Sequence, residues 1–457
     1  MRRQQMIAVI LAMTFLAAGS LWAAGGKEQA TQPKAERVKL TMTFWGSPME
    51  KKAIEDAVAS YEKKMGNVDV ETIHVPSSGT EFLVKLNAMI ASGDAPDISY
   101  SSSWKNKMGQ DGIIYNFYDL LAKDPIAKKD DWLQTCWWNW APDKSAGPIQ
   151  ANVTPSLMYN ADMFKEAGVE PPPTKVSQAW SWDKFVEVAR KMTIDTKGRN
   201  ALDPSFDPKN IKQFGVMFAL NWYTYMPFVY SNGGDYLSAD RKALGLAEPA
   251  ATQAIQRIAD LINVYHVHPS PVQKDSMPAP ATALQSRKIA MYIDGSWNHL
   301  DLAQSGINWG VGVLPIDKNY STFLFGGSLI IFKSTKHLAE TWELYKWITN
   351  PDTTLGMFQS IWMPVQTAWY TKPELVEKWA SEKLPARPKG FQDAVMRSAF
   401  EHQRRNPELD VINFPEIDPL VASALDQVWL GTKTAEQALT EAKKTVDPLV
   451  KGTYFND

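Results

Sequence analysis

Apolar and polar residues alternate from residue 38 onward, with Val38, Leu40, Met42 and Phe44 set against Lys39, Thr41 and Thr43. A period of two predicts a strand with one buried face. Ala53, Ile54, Ala57, Val58 and Tyr61 then recur at helical spacing, and residues 68–75 return to a strand pattern. Phe82, Leu83, Leu86, Met89 and Ile90 share a second helical face closed by Gly93, and Pro96-Asp97-Ile98-Ser99-Tyr100 opens a third strand. Strands alternating with helices predict an α/β fold built from βαβ units around a mostly parallel sheet. Ligands of such sheets sit at the loops beyond the C-terminal strand ends. Here those loops are Trp45-Gly46-Ser47-Pro48, residues 76–81 (PSSGTE) and Ser101-Ser102-Ser103-Trp104, all rich in hydroxyls, glycine or tryptophan.

A second patterned region follows Pro148. Ser181 is placed to cap a helix whose inner face is Phe185, Val188, Ala189 and Met192. Ile255, Ile258, Ala259 and Ile262 mark another helical face. Residues 289–293 (IAMYI) and 328–332 (SLIIF) read as short buried strands, the first ending at Asp294-Gly295-Ser296-Trp297 and the second preceded by Gly326-Gly327. The remainder, from about Leu338, is helical and broken at Pro351, Pro364 and residues 384–389. No internal repeat or low-complexity tract interrupts this order.

The extreme N-terminus has a different pattern. Met1-Arg2-Arg3 is a short positive segment, residues 6–18 are almost wholly apolar, and Ala23-Ala24-Gly25-Gly26 offers small residues for cleavage. That is a signal peptide over residues 1–25, too short in its apolar stretch for a bilayer span, which needs about 20 residues. Residues 26–36 are polar and read as a disordered leader. Cysteine is missing near the cleavage site, which argues against a lipid anchor; the expected location is periplasmic or otherwise outside the cytoplasm.

Composition excludes several classes. The formal net charge of −2 gives no footprint for nucleic acid. Cys136, the one cysteine, sits among apolar or neutral neighbours and reads as a buried structural thiol. His266 and His268 are two apart with no nearby cysteine or carboxylate, so no metal is expected. No Gly-rich phosphate loop or Gly-x-Ser-x-Gly elbow occurs, and no cofactor is implied. Eighteen tryptophans are an unusual number, and an indole suits the C–H face of a sugar ring.

Six landmarks in order carry a family resemblance. Residues 85–97 (KLNAMIASGDAPD) resemble a helix-to-strand signature, and residues 159–168 (YNADMFKEAG) with Trp182-Asp183-Lys184-Phe185 resemble a second segment. Asn232-Gly233-Gly234-Asp235, residues 290–297 (AMYIDGSW) and Gly326-Gly327-Ser328 follow. Together they resemble the family 1 extracellular solute-binding proteins of ABC importers, a group that includes maltose-binding members. The crossing at Asn152-Val153-Thr154 lacks the acidic residue of maltose-binding members, so maltodextrin specificity is not implied.

The resemblance implies a type II-like periplasmic-binding-protein fold of two lobes, each a mostly parallel sheet flanked by helices. The N-terminal lobe would be residues 37–153 plus 297–335, and the C-terminal lobe 154–296 plus 336–457. It further implies a monomer that captures a solute, a mono- or oligosaccharide, in the inter-lobe cleft and hands it to membrane permease subunits. Trp297 is the leading candidate for a ring stacked on the ligand. Trp222 and Tyr223 lie a few residues before Asn232-Gly233-Gly234-Asp235, where the resemblance implies aromatic ligand contacts, and Trp45, Ser47, Ser102, Ser103 and Trp104 are further candidates from strand ends and loops. Glu81 and Asp294 are candidate carboxylates for sugar hydroxyls, with capping as the alternative, and Gly326 and Gly327 would permit close backbone approach or form a plain turn. Trp137, Trp138 and Trp140 take no role beyond surface or core. Two other readings remain. A secreted glycosidase would need a carboxylate pair about the scissile bond. A receptor for a phosphorylated or cationic solute would, for phosphate, want an arginine cluster, for which Arg404-Arg405 is the one adjacent pair after the leader.

Overall fold

The computed structural model describes residues 37–454; the expected signal peptide and leader lie outside these described residues. The first strand, Val38–Trp45, lies between Val68–Val75 and Ile98–Ser101 with parallel pairing to both. A fourth strand, Ser328–Ile331, comes from far along the chain to pair antiparallel with Ile98–Ser101. Leu40, Met42 and Phe44 are buried as the alternation predicts, but Thr43 on the opposite face is buried too. Its hydroxyl donates to Ser99 Oγ at 2.6 Å, which satisfies a polar group on the face expected to meet water.

Helix Pro48–Met65 starts ahead of the apolar face that Ala53 opens, taking in Pro48 of the expected loop. Ser47 caps it by accepting from the Glu50 N–H, Pro48 occupies the first turn, and Gly66 ends it at φ 74°. Helix Thr80–Ser92 follows, closed by Gly93 at φ 84°.

The second sheet has the order Trp309–Gly312, Pro155–Asn160, Ile289–Gly295, Ile211–Phe218, Ile194–Asp195. It departs from the expected mostly parallel sheet. Only Ile211–Phe218 with Ile289–Gly295 is parallel, and the other pairings are antiparallel. The long connections that bring Pro155–Asn160 and Trp309–Gly312 to this sheet do not run as simple βαβ crossovers.

Among the described residues, three segments run between the sheets. Residues 149–154 and 322–327 lie antiparallel, with Val153 and Phe325 exchanging backbone hydrogen bonds of 2.9 and 3.0 Å. Strand membership does not follow the lobe ranges expected from the sequence. Trp309–Gly312 still pairs with Pro155–Asn160, so the return crossing comes at 322–327 rather than at 297. The reason is local: helix Asn298–Gln304 leads the chain back to the edge of the sheet it has just left. Helix Leu338–Thr349, expected with the second lobe, packs on Pro48–Met65, where Trp347 Nε1 donates to Ser60 Oγ and Tyr61 Oη to Glu340 O. The chain then goes back near residues 401–410, after which Phe414–Trp429 and Ala435–Val446 pack against helix Pro249–Asn263.

Trp137 and Trp138 form a hairpin, Trp137–Ala141 with Lys144–Pro148, and are buried with Trp140 in the core. Cys136 beside them is fully buried, and burial pushes its thiol up to about 12. His268 is buried and satisfied, its Nε2 accepting from Phe218 N–H and its Nδ1 donating to Pro269 O.

Candidate functional site

A cleft of about 510 Å³ is lined from both sheets and from the segments that cross between them. Its first wall begins at the C-terminal end of Val38–Trp45. Trp45 stands edge-on to Phe82 and Tyr100, at 4.9 and 5.1 Å between ring centroids, so its outer face is turned free of its own core. Trp362 packs behind on Tyr100 at 5.9 Å.

The opposite wall is a cluster organised on Phe325. Tyr223 stacks on it at 4.7 Å, and Trp297 and Trp222 meet it edge-on at 5.6 Å each. Trp222 and Tyr223 open helix Trp222–Ser231, and Trp297 follows strand Ile289–Gly295 directly. The floor is backbone. Gly326 has φ +136°, and a Cβ there would stand 2.0 Å from Ala151 O, so only glycine lets the two crossing segments approach.

The polar groups are acidic or neutral. Glu50, Asp301 and Glu408 line the cleft with Ser47, Ser78, Ser102 and Asn298, and no Lys, Arg or His is among the described residues that line it. Burial pushes Glu50 up to about 8, against a hydrogen bond from Trp362, and neighbouring Asp301 adds to the rise. Asp301 is also raised by burial, partly offset by a hydrogen bond with Ser47. Glu408 accepts from Ser102 Oγ at 2.9 Å and Ser103 N–H at 3.3 Å. Behind it Lys105 is fully buried, donates to Ser102 O, and holds its ammonium 3.1 Å over the Trp138 ring. Burial raises Glu408 and lowers Lys105, and each draws the other back toward its charged form.

Of the residues singled out from sequence, Trp45, Ser47, Ser102, Trp222, Tyr223, Trp297, Gly326 and Gly327 come together here. Four do not line the cleft. Glu81 is exposed in the first turn of Thr80–Ser92. Ser103 is turned to Glu408, which it meets with its backbone N–H and its side chain, and Trp104 leans on Phe82 at 6.3 Å. Asp294 lies beneath the wall, buried and bonded to Tyr292 Oη and Asn298 Nδ2, with burial raising its carboxyl. The gap in that reading is Glu50, Asp301, Trp362 and Glu408. Glu50 had a signal, since Ser47-Pro48-Met49-Glu50 has the spacing of a helix-capping pattern at a strand end. Among the described residues there is no cluster of His, Cys, Asp and Glu fit for a metal and no helix long and apolar enough to cross a membrane.

Two α/β lobes joined by crossing segments, with a cleft lined from both, define a two-lobed binding-protein architecture. The chain belongs to the bacterial extracellular solute-binding protein family, whose model matches residues 45–354. It is 21% identical over 449 residues to a galactooligosaccharide-binding protein of Bacillus subtilis, covering 94% of each chain. An sn-glycerol-3-phosphate-binding periplasmic protein of Rhizobium meliloti is 23% identical over 318 residues, 66% of this chain and 67% of that one. Among solved structures, an ABC substrate-binding protein of Listeria monocytogenes in complex with cycloalternan superposes with a TM-score of 0.76 at 19% identity, covering 91% of this chain and 99% of that one. A solute-binding protein of Thermotoga lettingae bound with α-D-tagatose gives 0.72 at 20% identity, over 90% and 99%.

Proposed function

We propose that this chain captures a neutral carbohydrate, a mono- or oligosaccharide, in the cleft and delivers it to the permease subunits of an ABC importer, working outside the cytoplasm as a monomer without a lipid anchor. The observation that carries the reading is the makeup of the walls. Indoles from both sides, Trp45 and Trp297, offer flat faces for the apolar side of a sugar ring, while Glu50, Asp301 and Asn298 offer partners for its hydroxyls.

The same walls argue against a phosphorylated solute, despite the glycerol-phosphate-binding relative. A phosphate wants arginines or helix N–H groups, and the charged side chains lining this cleft are carboxylates. Arg404 and Arg405 do not line it; they engage Asp235 and Asp410. The lobes as we assign them are residues 38–148 with 328–400, and 155–321 with 411–450, and ligand contacts made only in the closed form would draw them together.

A thermal-shift screen of neutral mono- and oligosaccharides against sn-glycerol 3-phosphate and polyamines tests the class. A ligand at a hundred times its Kd stabilises by about 2.7 kcal/mol. Stabilisation by a neutral saccharide alone supports the reading, and stabilisation by glycerol phosphate alone overturns it. Mass spectrometry of the recovered ligand separates capture from glycoside hydrolysis: an intact saccharide is expected, and a cleaved one would make the protein an enzyme.

A further inference from the structure

The cleft wall at Trp362 is held from behind by a buried charge. Arg387 is 1% exposed, and each of its donor nitrogens meets a backbone carbonyl. Nη2 donates to Phe358 O at 2.6 Å and Trp362 O at 3.1 Å, Nη1 to Ser360 O at 3.3 Å and Ala386 O at 3.1 Å, and Nε to Trp379 O at 3.4 Å. The Phe391 ring covers the guanidinium at 4.6 Å.

A buried cation needs negative charge near it. Here the C-terminus of a helix supplies it. Phe358 and Ser360 close helix Leu355–Ser360, and the last carbonyls of a helix lack partners within it and carry the negative end of its dipole. Arginine suits this place because its planar fork presents donors in several directions, which a lysine ammonium on a single atom does not match.

The chain that leaves this helix enters the cleft. Ile361 and Trp362 both line it, and the Trp362 indole is hydrogen-bonded to the Glu50 carboxyl. Met363 N–H then donates to Asn152 O at 2.8 Å, in the crossing segment.

We propose that Arg387 is a positioning residue for the ligand cleft: by gathering the carbonyls of Phe358, Ser360 and Trp362 it sets where the Trp362 indole meets Glu50. It touches no ligand itself. Its consequence for binding rests on the cleft being the ligand site, whereas the tie between Arg387 and Trp362 does not.

The test therefore uses the full chain without ligand, labelled with [15N]tryptophan, and the Trp362 indole resonance assigned by its loss in Trp362→Phe. In the wild type this resonance should titrate as Glu50 ionises; Asp301 and Tyr100 are the other titratable groups that bear on Glu50. In Arg387→Gln the indole resonance should shift, and its titration midpoint should rise by about half a unit or more, because a displaced N–H no longer favours the Glu50 carboxylate. Arg387→Lys carries the same test with the charge kept, should the first variant not fold, and should recover only part of the wild-type behaviour. Val446→Ala, far along the chain in another helix, controls for general destabilisation and should leave both readings unmoved. A Trp362 resonance and midpoint unchanged in the folded Arg387 variant would overturn the proposal, whatever ligand the cleft takes.

Discussion

The Trp297 ring lies against Gly295, so close that a Cβ built on that glycine would stand 2.1 Å from the ring. Strand Ile289–Gly295 thus ends in a residue without a side chain because the next wall of the cleft folds back over it. Gly295→Ala should displace the indole while leaving the strand pairing, and weaken saccharide binding by about tenfold or more, on the order of 1.4 kcal/mol. Titration calorimetry checks this, and unchanged affinity would show that the position of the Trp297 ring is immaterial.

Trp297 and Trp138 should separate binding from packing. Trp297 is half-buried at the cleft, whereas Trp138 is fully buried under Lys105. Trp297→Ala should cost roughly 2–4 kcal/mol of binding with a smaller loss of stability. Trp138→Ala should cost about 3–5 kcal/mol of stability. Calorimetry and urea unfolding of both variants measure the two effects, and normal binding by a badly destabilised Trp297→Ala would make it a packing residue.

Glu50 should make the protein less stable as pH rises. Its carboxyl keeps its proton to about pH 8 when folded but loses it near its ordinary value of 4.5 when unfolded. Between these values the folded state binds more protons, so stability falls with rising pH. Glu50→Gln should therefore be more stable than the wild type at pH 9, on the order of 2 kcal/mol once water in the open cleft is allowed for, and no more stable below pH 4.5. Urea unfolding across this range would contradict the assignment if the two curves ran parallel.

His268 should act at the other end of the scale. Burial pushes its imidazole down from 6.5 to about 4. The neutral ring contributes fully above pH 6.5, and that stability is lost as pH falls through 4, because only the unfolded chain takes up the proton in that interval. Proton-nitrogen correlation spectra of the imidazole should show the Nδ1–H tautomer unchanged from pH 7 to 5, and a ring that protonates near 6.5 would refute it.

The sequence patterns carried the start of the first sheet well because Val38–Trp45 alternates apolar with polar residues and the two helices that follow have glycine stops at Gly66 and Gly93. They failed for Pro155–Asn160 and Trp309–Gly312, short strands whose antiparallel pairing depends on partners distant in the chain. Trp45 could be read from a strand end, and Trp222, Tyr223 and Trp297 from their places in the family's order of landmarks, whereas Phe325 carried no signal. Trp362 and Glu408 could not, since they reach the cleft only through the returns of the chain after residue 349, and nothing local marks them. Glu81, read as a sugar-hydroxyl partner or a capping residue, stands outside the cleft lining in a helix's first turn, where the dipole alone favours an acid.

A crystal structure of the chain with the neutral saccharide that stabilises it most tests the central claim directly. The sugar should lie between the lobes, with a ring face on Trp297 or Trp45 and hydroxyls on Glu50 or Asp301. A saccharide seated outside this cleft, or a ligand held there through a phosphate, would contradict it.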